Sequence, residues 1–195
     1  APASPSPEPK PTDQYNFTDP ESRIMKAGNG EHFAQADNAQ AAVDVESRLI
    51  AGPRVSQAAH DQQERVATVA AIPASAGNVE AVLTDRGFLS EAAVKQIEQA
   101  QDGAPTGTTV YAPLEKTSPH RRVADWEKKV EPEPPPAGAS LDEVMRHRLK
   151  TGSGKALYKL RQQTVEPVLG IIKSALGFRQ FLLRGAAQVS LEWEW

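Results

Sequence analysis

Two carboxylates stand out by position. Asp85 closes the apolar run Val79-Glu-Ala-Val-Leu-Thr84 and is followed by Arg86 and Gly87. A run of that length predicts a buried strand, and in α/β sheets the carboxyl edge of the strands is where ligands and catalytic groups gather. Asp-x-Gly is also ordinary turn chemistry, and on the residues alone the turn reading is the simpler one. Glu166 is the single acid between Met145 and Arg184, a stretch that holds nine Lys and Arg. It sits beside Val165, Val168, Leu169, Ile172 and Leu176, whose spacing draws one apolar stripe along a helix. A carboxylate so close to a core is expected to be paired or metal-bound, because burying it alone is costly. A salt bridge to Arg161 or Lys173 and a metal role are both open, since Lys173 lies seven residues on and returns to nearly the same helical face. A strand-end Asp and a helical Glu among basic residues suit two-metal phosphoryl transfer. There, two Mg²⁺ ions about 4 Å apart take carboxylate ligands while Lys and Arg hold the phosphates.

Other chemistries find little support. The chain has no cysteine, which excludes a disulfide framework, a thiolate zinc site and a cysteine nucleophile, and fits a reducing compartment. His32, His60, His120 and His147 have no metal-ligand spacing and read as surface residues. Thr151-Gly-Ser-Gly-Lys155 has the look of a phosphate loop, but lacks the required spacing and follows a helix. Trp126, Trp193 and Trp195 do not interleave with basic residues as stacking platforms would.

The elements that must position these groups are those of one α/β domain in 195 residues. Residues 38–44 and 48–55 predict an antiparallel hairpin, with Pro53 at an edge or bulge. A polar-amphipathic helix over 61–71 follows, then a strand at 79–84, a helix from the N-cap Ser90 to about 100, and a strand at 108–112. Strand, helix, strand in that order predicts a parallel βαβ unit. Ser140-Leu-Asp-Glu143 is a capping box opening a basic helix, and the remainder reads as helical, with Pro167 tolerated only near a helix start or at a kink. Prolines at 2, 5, 7, 9 and 11 make residues 1–14 an extended linker, and the Glu131–Pro136 run sits in a second segment, 115–139, expected to be a disordered insertion.

Net charge is −3, yet residues 145–184 carry +8, leaving −11 for the rest. A basic block of this size points to a polyanion partner, nucleic acid before membrane. No apolar run approaches the roughly 20 residues of a membrane span, and the N-terminus has no signal-peptide core.

At these residues the chain resembles a bacterial insertion-sequence transposase of the DDE type. The resemblance rests on Tyr15-Asn-Phe-Thr-Asp-Pro-Glu-Ser-Arg-Ile-Met-Lys26, on Asn38–Asp44, and on Val82-Leu-Thr-Asp-Arg-Gly-Phe88 with Ser90-Glu91. It continues through Tyr158-Lys-Leu-Arg-Gln-Gln-Thr-Val-Glu-Pro-Val-Leu-Gly-Ile-Ile-Lys173 and Gly177-Phe-Arg-Gln-Phe-Leu-Leu-Arg-Gly185. It implies a partial ribonuclease-H-like mixed sheet flanked by helices over residues 15–195. Asp85 then corresponds to the second catalytic aspartate. Tyr158, Arg161, Glu166 and Lys173 correspond to the family's Tyr…Arg…Glu…Lys signature, in which the Glu is catalytic and the other three contact DNA phosphates. Asp85 and Glu166 are the implied ligands of Mg²⁺ or Mn²⁺.

Two departures matter. The gap from Arg161 to Glu166 is one residue longer than in the usual pattern. The first catalytic aspartate, which the family supplies from an Asp-Gly-Thr or Asp-Gly-Ser strand, has no counterpart before Tyr15. Asp44 ends a strand but corresponds to the second strand of the sheet. The expectation is a truncated catalytic core whose complete form is a homodimer, cytoplasmic and nucleoid-associated, that cuts and joins DNA. The alternative is an inactive remnant that binds DNA weakly and without sequence preference.

Overall fold

The computed structural model of this chain describes residues 15–26, 32–59, 61, 64–86, 90–114 and 131–195. The described elements are β1 (Arg23–Lys26), β2 (Phe33–Ala36), β3 (Asn38–Val43), β4 (Ile50–Ser56), α1 (Glu64–Ala70), β5 (Ala81–Leu83), α2 (Glu91–Glu98), β6 (Thr109–Tyr111), α3 (Leu141–Lys150), α4 (Gly152–Gly170) and α5 (Ala186–Glu194). The expected linker 1–14 and most of the expected insertion lie outside the described residues. Its last part, residues 131–139, forms no helix or strand, and turns at Gly138, where Ala139 N–H reaches the Pro136 carbonyl at 3.0 Å.

The mixed α/β class holds. The strands, however, form three separate pairs: β1–β2 and β3–β4 antiparallel, β5–β6 parallel. One reason is visible at β6. The Val110 N–H donates to Glu98 Oε1 at 2.8 Å, and the Val110 carbonyl accepts from Arg148 Nη1 at 2.9 Å. Side chains from α2 and α3 thus close the outer edge of β6 to any further strand.

The predicted hairpin is β3–β4, with Asn38 opposite Ser56 and a register slip at Ala42/Val43. Asp44 makes the turn, its Oδ2 accepting from Ser47 N–H at 2.7 Å and from Ser47 Oγ at 2.6 Å. Pro53 lies opposite Ala41 and is tolerated because both strands of a two-stranded ladder are edges. The βαβ unit is also as read: β5 and β6 run parallel with Val82 opposite Val110, and α2 forms the crossover. Ser90 stands at the N-cap of α2 in extended conformation, but its side chain makes no cap bond. Val94 and Ile97 from α2, Val110 from β6 and Met145 from α3 make the buried core, flanked by Val66, Val69, Val82, Leu114 and Leu141.

Helix α3 opens on the predicted capping box, in which Ser140 Oγ accepts from Glu143 N–H and Glu143 Oε2 from Ser140 N–H. Thr151 then makes a corner between two helices. Its N–H satisfies the His147 carbonyl, while its hydroxyl accepts from Gly154 N–H and donates to the Arg148 carbonyl at 2.8 Å. A Cβ on Gly154 would lie 1.8 Å from the Arg148 carbonyl oxygen. The glycines that imitate a phosphate loop therefore serve a tight α–α corner.

Pro167 lies inside α4, in its last turn. Without an N–H it cannot complete the bond to the fourth carbonyl back. The helix passes at Ile171 into a π turn, Ile171–Ala175, in which Leu176 N–H reaches the Ile171 carbonyl at 2.9 Å. The wider turn breaks the α-helical spacing assumed for the stripe. Val165, Val168, Leu169 and Ile172 are half-buried and Leu176 is 73 % exposed, so the stripe is not a core face as expected. The turn before β1 meets the start of α5: Asp19 and Glu21 accept from the N–H groups of Gly185 and Ala186 at 2.9 and 2.8 Å. The Gly185 bond foremost, with bonds from the Glu21 and Ser22 N–H groups and the Arg184 charge, holds the Asp19 carboxyl below its ordinary value.

Candidate functional site

The carboxyl end of β5 is where the candidate residues gather. Thr84 continues the ladder one step past β5, its N–H donating to the Tyr111 carbonyl at 3.0 Å. Its own carbonyl accepts from the Tyr158 hydroxyl of α4 at 3.2 Å. Arg161, one turn further along α4, places its guanidinium carbon 5.7 Å from the centre of the Tyr158 ring. Burial pushes the Tyr158 phenol above its ordinary value, the Arg161 charge opposes this, and the Asp85 charge adds to it. Tyr158 thus feels both the cation and the carboxylate.

Asp85 follows Thr84 directly and is exposed, its Oδ1 turned back onto the Arg86 N–H at 2.8 Å. Gly87 and Phe88, part of the same motif, lie outside the described residues. Two polar atoms at this place are enclosed without a hydrogen-bond partner, Thr84 Oγ1 and Arg161 Nε.

Glu166 is not where the sequence placed it. It is exposed rather than near the core, and no hydrogen bond or ion pair joins it to any described residue. The premise of a buried carboxylate in need of a partner fails because the stripe beside it is only half covered. Neither expected salt bridge, to Arg161 or to Lys173, forms. Lys173 is exposed in the π turn, where its carbonyl accepts from Arg179 Nε at 3.3 Å. Eight residues of helix separate Glu166 from Tyr158, about 12 Å along the axis. The structure therefore brings Tyr158 and Arg161 to the end of β5, while Glu166 and Lys173 continue the same helix as open, solvated charges.

For a divalent cation, Asp85 and Glu166 offer hard oxygen donors free of competing ion pairs, which suits Mg²⁺ or Mn²⁺ chemically. Among the described residues, no group of three or more His, Asp or Glu is gathered as a metal cluster.

The basic block divides in two. Arg148 faces inward, with Nη2 on Glu98 Oε2 at 3.1 Å and Nη1 on the Val110 carbonyl. Lys150, Lys155, Lys159, Lys173, Arg179 and Arg184 are exposed. Sequence reading missed the clasp of Glu98 and Arg148 because its members stand fifty residues apart. It also missed Arg65, read within a polar-amphipathic helix, which is 1 % exposed with none of its three guanidinium nitrogens partnered among the described residues. His32 is exposed and His147 lies in α3, neither in a ligand cluster; His60, His120 and Trp126 lie outside the described residues. Trp193 donates to the Gln40 carbonyl at 2.8 Å and packs near Phe178 and Phe181, a structural use.

Residues 125–195 match the family model described as Transposase DDE domain. That segment, just over a third of the chain, contains all of α4, with Tyr158, Arg161, Glu166 and Lys173, and the match agrees with the resemblance there. No curated protein and no solved structure matches the chain. Among the described residues, no helix is long and apolar enough to cross a membrane.

Proposed function

We propose that this chain is catalytic-core sequence of a DDE transposase, with a ribonuclease-H-like arrangement in its complete form, acting on DNA phosphodiesters. The observation that carries the reading is the Tyr158–Thr84 contact. It sets the helix of the matched segment against the strand end that bears Asp85. In the complete enzyme, water attacks a phosphodiester and leaves a DNA 3′-hydroxyl. That hydroxyl then attacks a second phosphodiester and displaces a 3′-oxygen. Asp85 and Glu166 are the residues that would hold Mg²⁺ or Mn²⁺ beside the first aspartate of the family. Such an ion, when bound, polarises the phosphoryl oxygens and lowers the pKa of the attacking water. Arg161 and Lys173 would supply cations to phosphate oxygens, and Tyr158 belongs to the same signature. A homodimer and association with the nucleoid complete this reading.

A second reading is a remnant that binds DNA without cutting it: among the described residues no third carboxylate is gathered with Asp85 or Glu166. Two carboxylates alone would leave a bound cation under-coordinated and the attacking oxygen unaligned. The test is binding and cleavage of duplex DNA by the full chain with and without Mn²⁺. The expected result is salt-sensitive binding that chelation leaves intact, with no strand cleavage. Cleavage abolished by Glu166→Ala would show that the first carboxylate is present after all, with Asp44 the next residue to substitute. Binding that ignores salt would remove the DNA reading, because counterion release drives such contacts.

A further inference from the structure

We propose that Tyr158 is a positioning residue, whose hydroxyl fastens α4 to the end of β5 and thereby holds Asp85 in place, and that it is not a phosphate contact. The inference rests on the reading of Asp85 as a metal-holding carboxylate. A phenol has a single O–H to donate. That of Tyr158 is committed to the Thr84 carbonyl at 3.2 Å. A phosphate oxygen only accepts, so Tyr158 could donate to DNA only by releasing Thr84.

Arg161 stands differently. Its guanidinium carries five N–H donors, more than its contact with Tyr158 can engage. The two residues therefore divide the work: Arg161 meets the phosphate and Tyr158 holds the strand. Thr84 is clasped from both sides, by Tyr111 of β6 through its N–H and by Tyr158 through its carbonyl. Asp85 comes next in the chain and, among the described residues, its carboxylate bonds only to the neighbouring Arg86 N–H, so its placement depends on how firmly Thr84 is held. Among the described residues no other hydrogen bond ties α4 to β5.

Tyr158→Phe in the full chain keeps the ring and removes only the hydroxyl. Three readouts separate the possibilities: exchange of the Thr84 amide, affinity for duplex DNA with its salt dependence, and Mn²⁺-induced broadening of the Asp85 amide resonance. A tether predicts Thr84 exchange faster by about fivefold and half-saturating Mn²⁺ at Asp85 raised by a similar factor, the effect of one neutral hydrogen bond. It predicts affinity for duplex DNA at fixed salt unchanged in Tyr158→Phe, and a salt slope reduced in Arg161→Gln. Affinity weakened about fivefold or more in Tyr158→Phe, with Thr84 exchange unaltered, assigns a phosphate contact and overturns the proposal. Mn²⁺ broadening present in the unaltered chain and unmoved by Tyr158→Phe overturns the tether alone. No broadening at Asp85 even in the unaltered chain removes the metal reading, and the proposal falls with it.

Discussion

Glu98 and Arg148 meet across fifty residues and enclose the backbone of Val110, one taking its N–H and the other its carbonyl. Both side chains are mostly buried, and each satisfies the other's charge as well as a strand edge. Removing one partner leaves a shielded charge and an unpaired backbone group. Arg148→Met is therefore expected to cost about 3–5 kcal/mol, and Glu98→Gln less, since an amide keeps an acceptor. A double-mutant cycle read by urea unfolding checks this, and additive losses would mean that the pair is not coupled. The same result removes Arg148 from the DNA-facing charges, leaving Lys155 and Lys159 as the better choice for flattening a salt slope.

Gly154→Ala tests the helical corner. A methyl 1.8 Å from the Arg148 carbonyl cannot be placed, so α3 and α4 must separate. A loss of roughly 2–4 kcal/mol is expected, with Thr151 exchange quickened. If alanine is accepted with unchanged stability, the corner is not as tight as described.

Arg65 carries the opposite sign. Burial alone pushes its guanidinium down to about 10, far above neutral pH, so the group stays charged with no acceptor among the described residues. A base whose folded value is lowered destabilises at every pH below that value and is relieved only as pH rises through it. Arg65→Met is expected to raise stability by roughly 1–4 kcal/mol at neutral pH. A clear fall in the melting midpoint would show that the guanidinium has a partner after all.

The Ser140–Glu143 box gives a pH dependence. Bonds from the Ser140 N–H and hydroxyl hold the Glu143 carboxyl below its ordinary value of 4.5. A lowered folded value means that this contribution is present above pH 4.5 and is lost as pH falls through the folded value. Amide protection in the first turn of α3, relative to the intrinsic exchange rate at each pH, should fall over that acid range. Ser140→Ala should remove the dependence at a cost of about 1 kcal/mol. Protection indifferent to pH in the unaltered chain would contradict the box.

What could be read in the sequence was local. The hairpin, the βαβ unit and the capping box were legible because turn residues, apolar runs and a four-residue motif announce them. Asp85 at a strand end was legible for the same reason. Glu166 was misplaced because the stripe beside it was taken for a core face, whereas covering a stripe depends on elements distant in the chain. The π turn after Pro167 was half legible, since the proline marks a defect without saying that the helix continues through it. Arg65, Thr84 and the Glu98–Arg148 clasp were hidden because nothing in their neighbours in sequence foretells burial. The split into three strand pairs was hidden too, because it depends on which edges side chains close.

The central claim is that Asp85 and Glu166, 81 residues apart, serve one cation. Mn²⁺ titration of the full chain, followed by broadening of both amide resonances, tests it most directly. The account predicts that the two broaden together at one half-saturating concentration, and that Glu166→Gln weakens broadening at Asp85. Independent titration of the two sites, with Asp85 indifferent to Glu166→Gln, would contradict it.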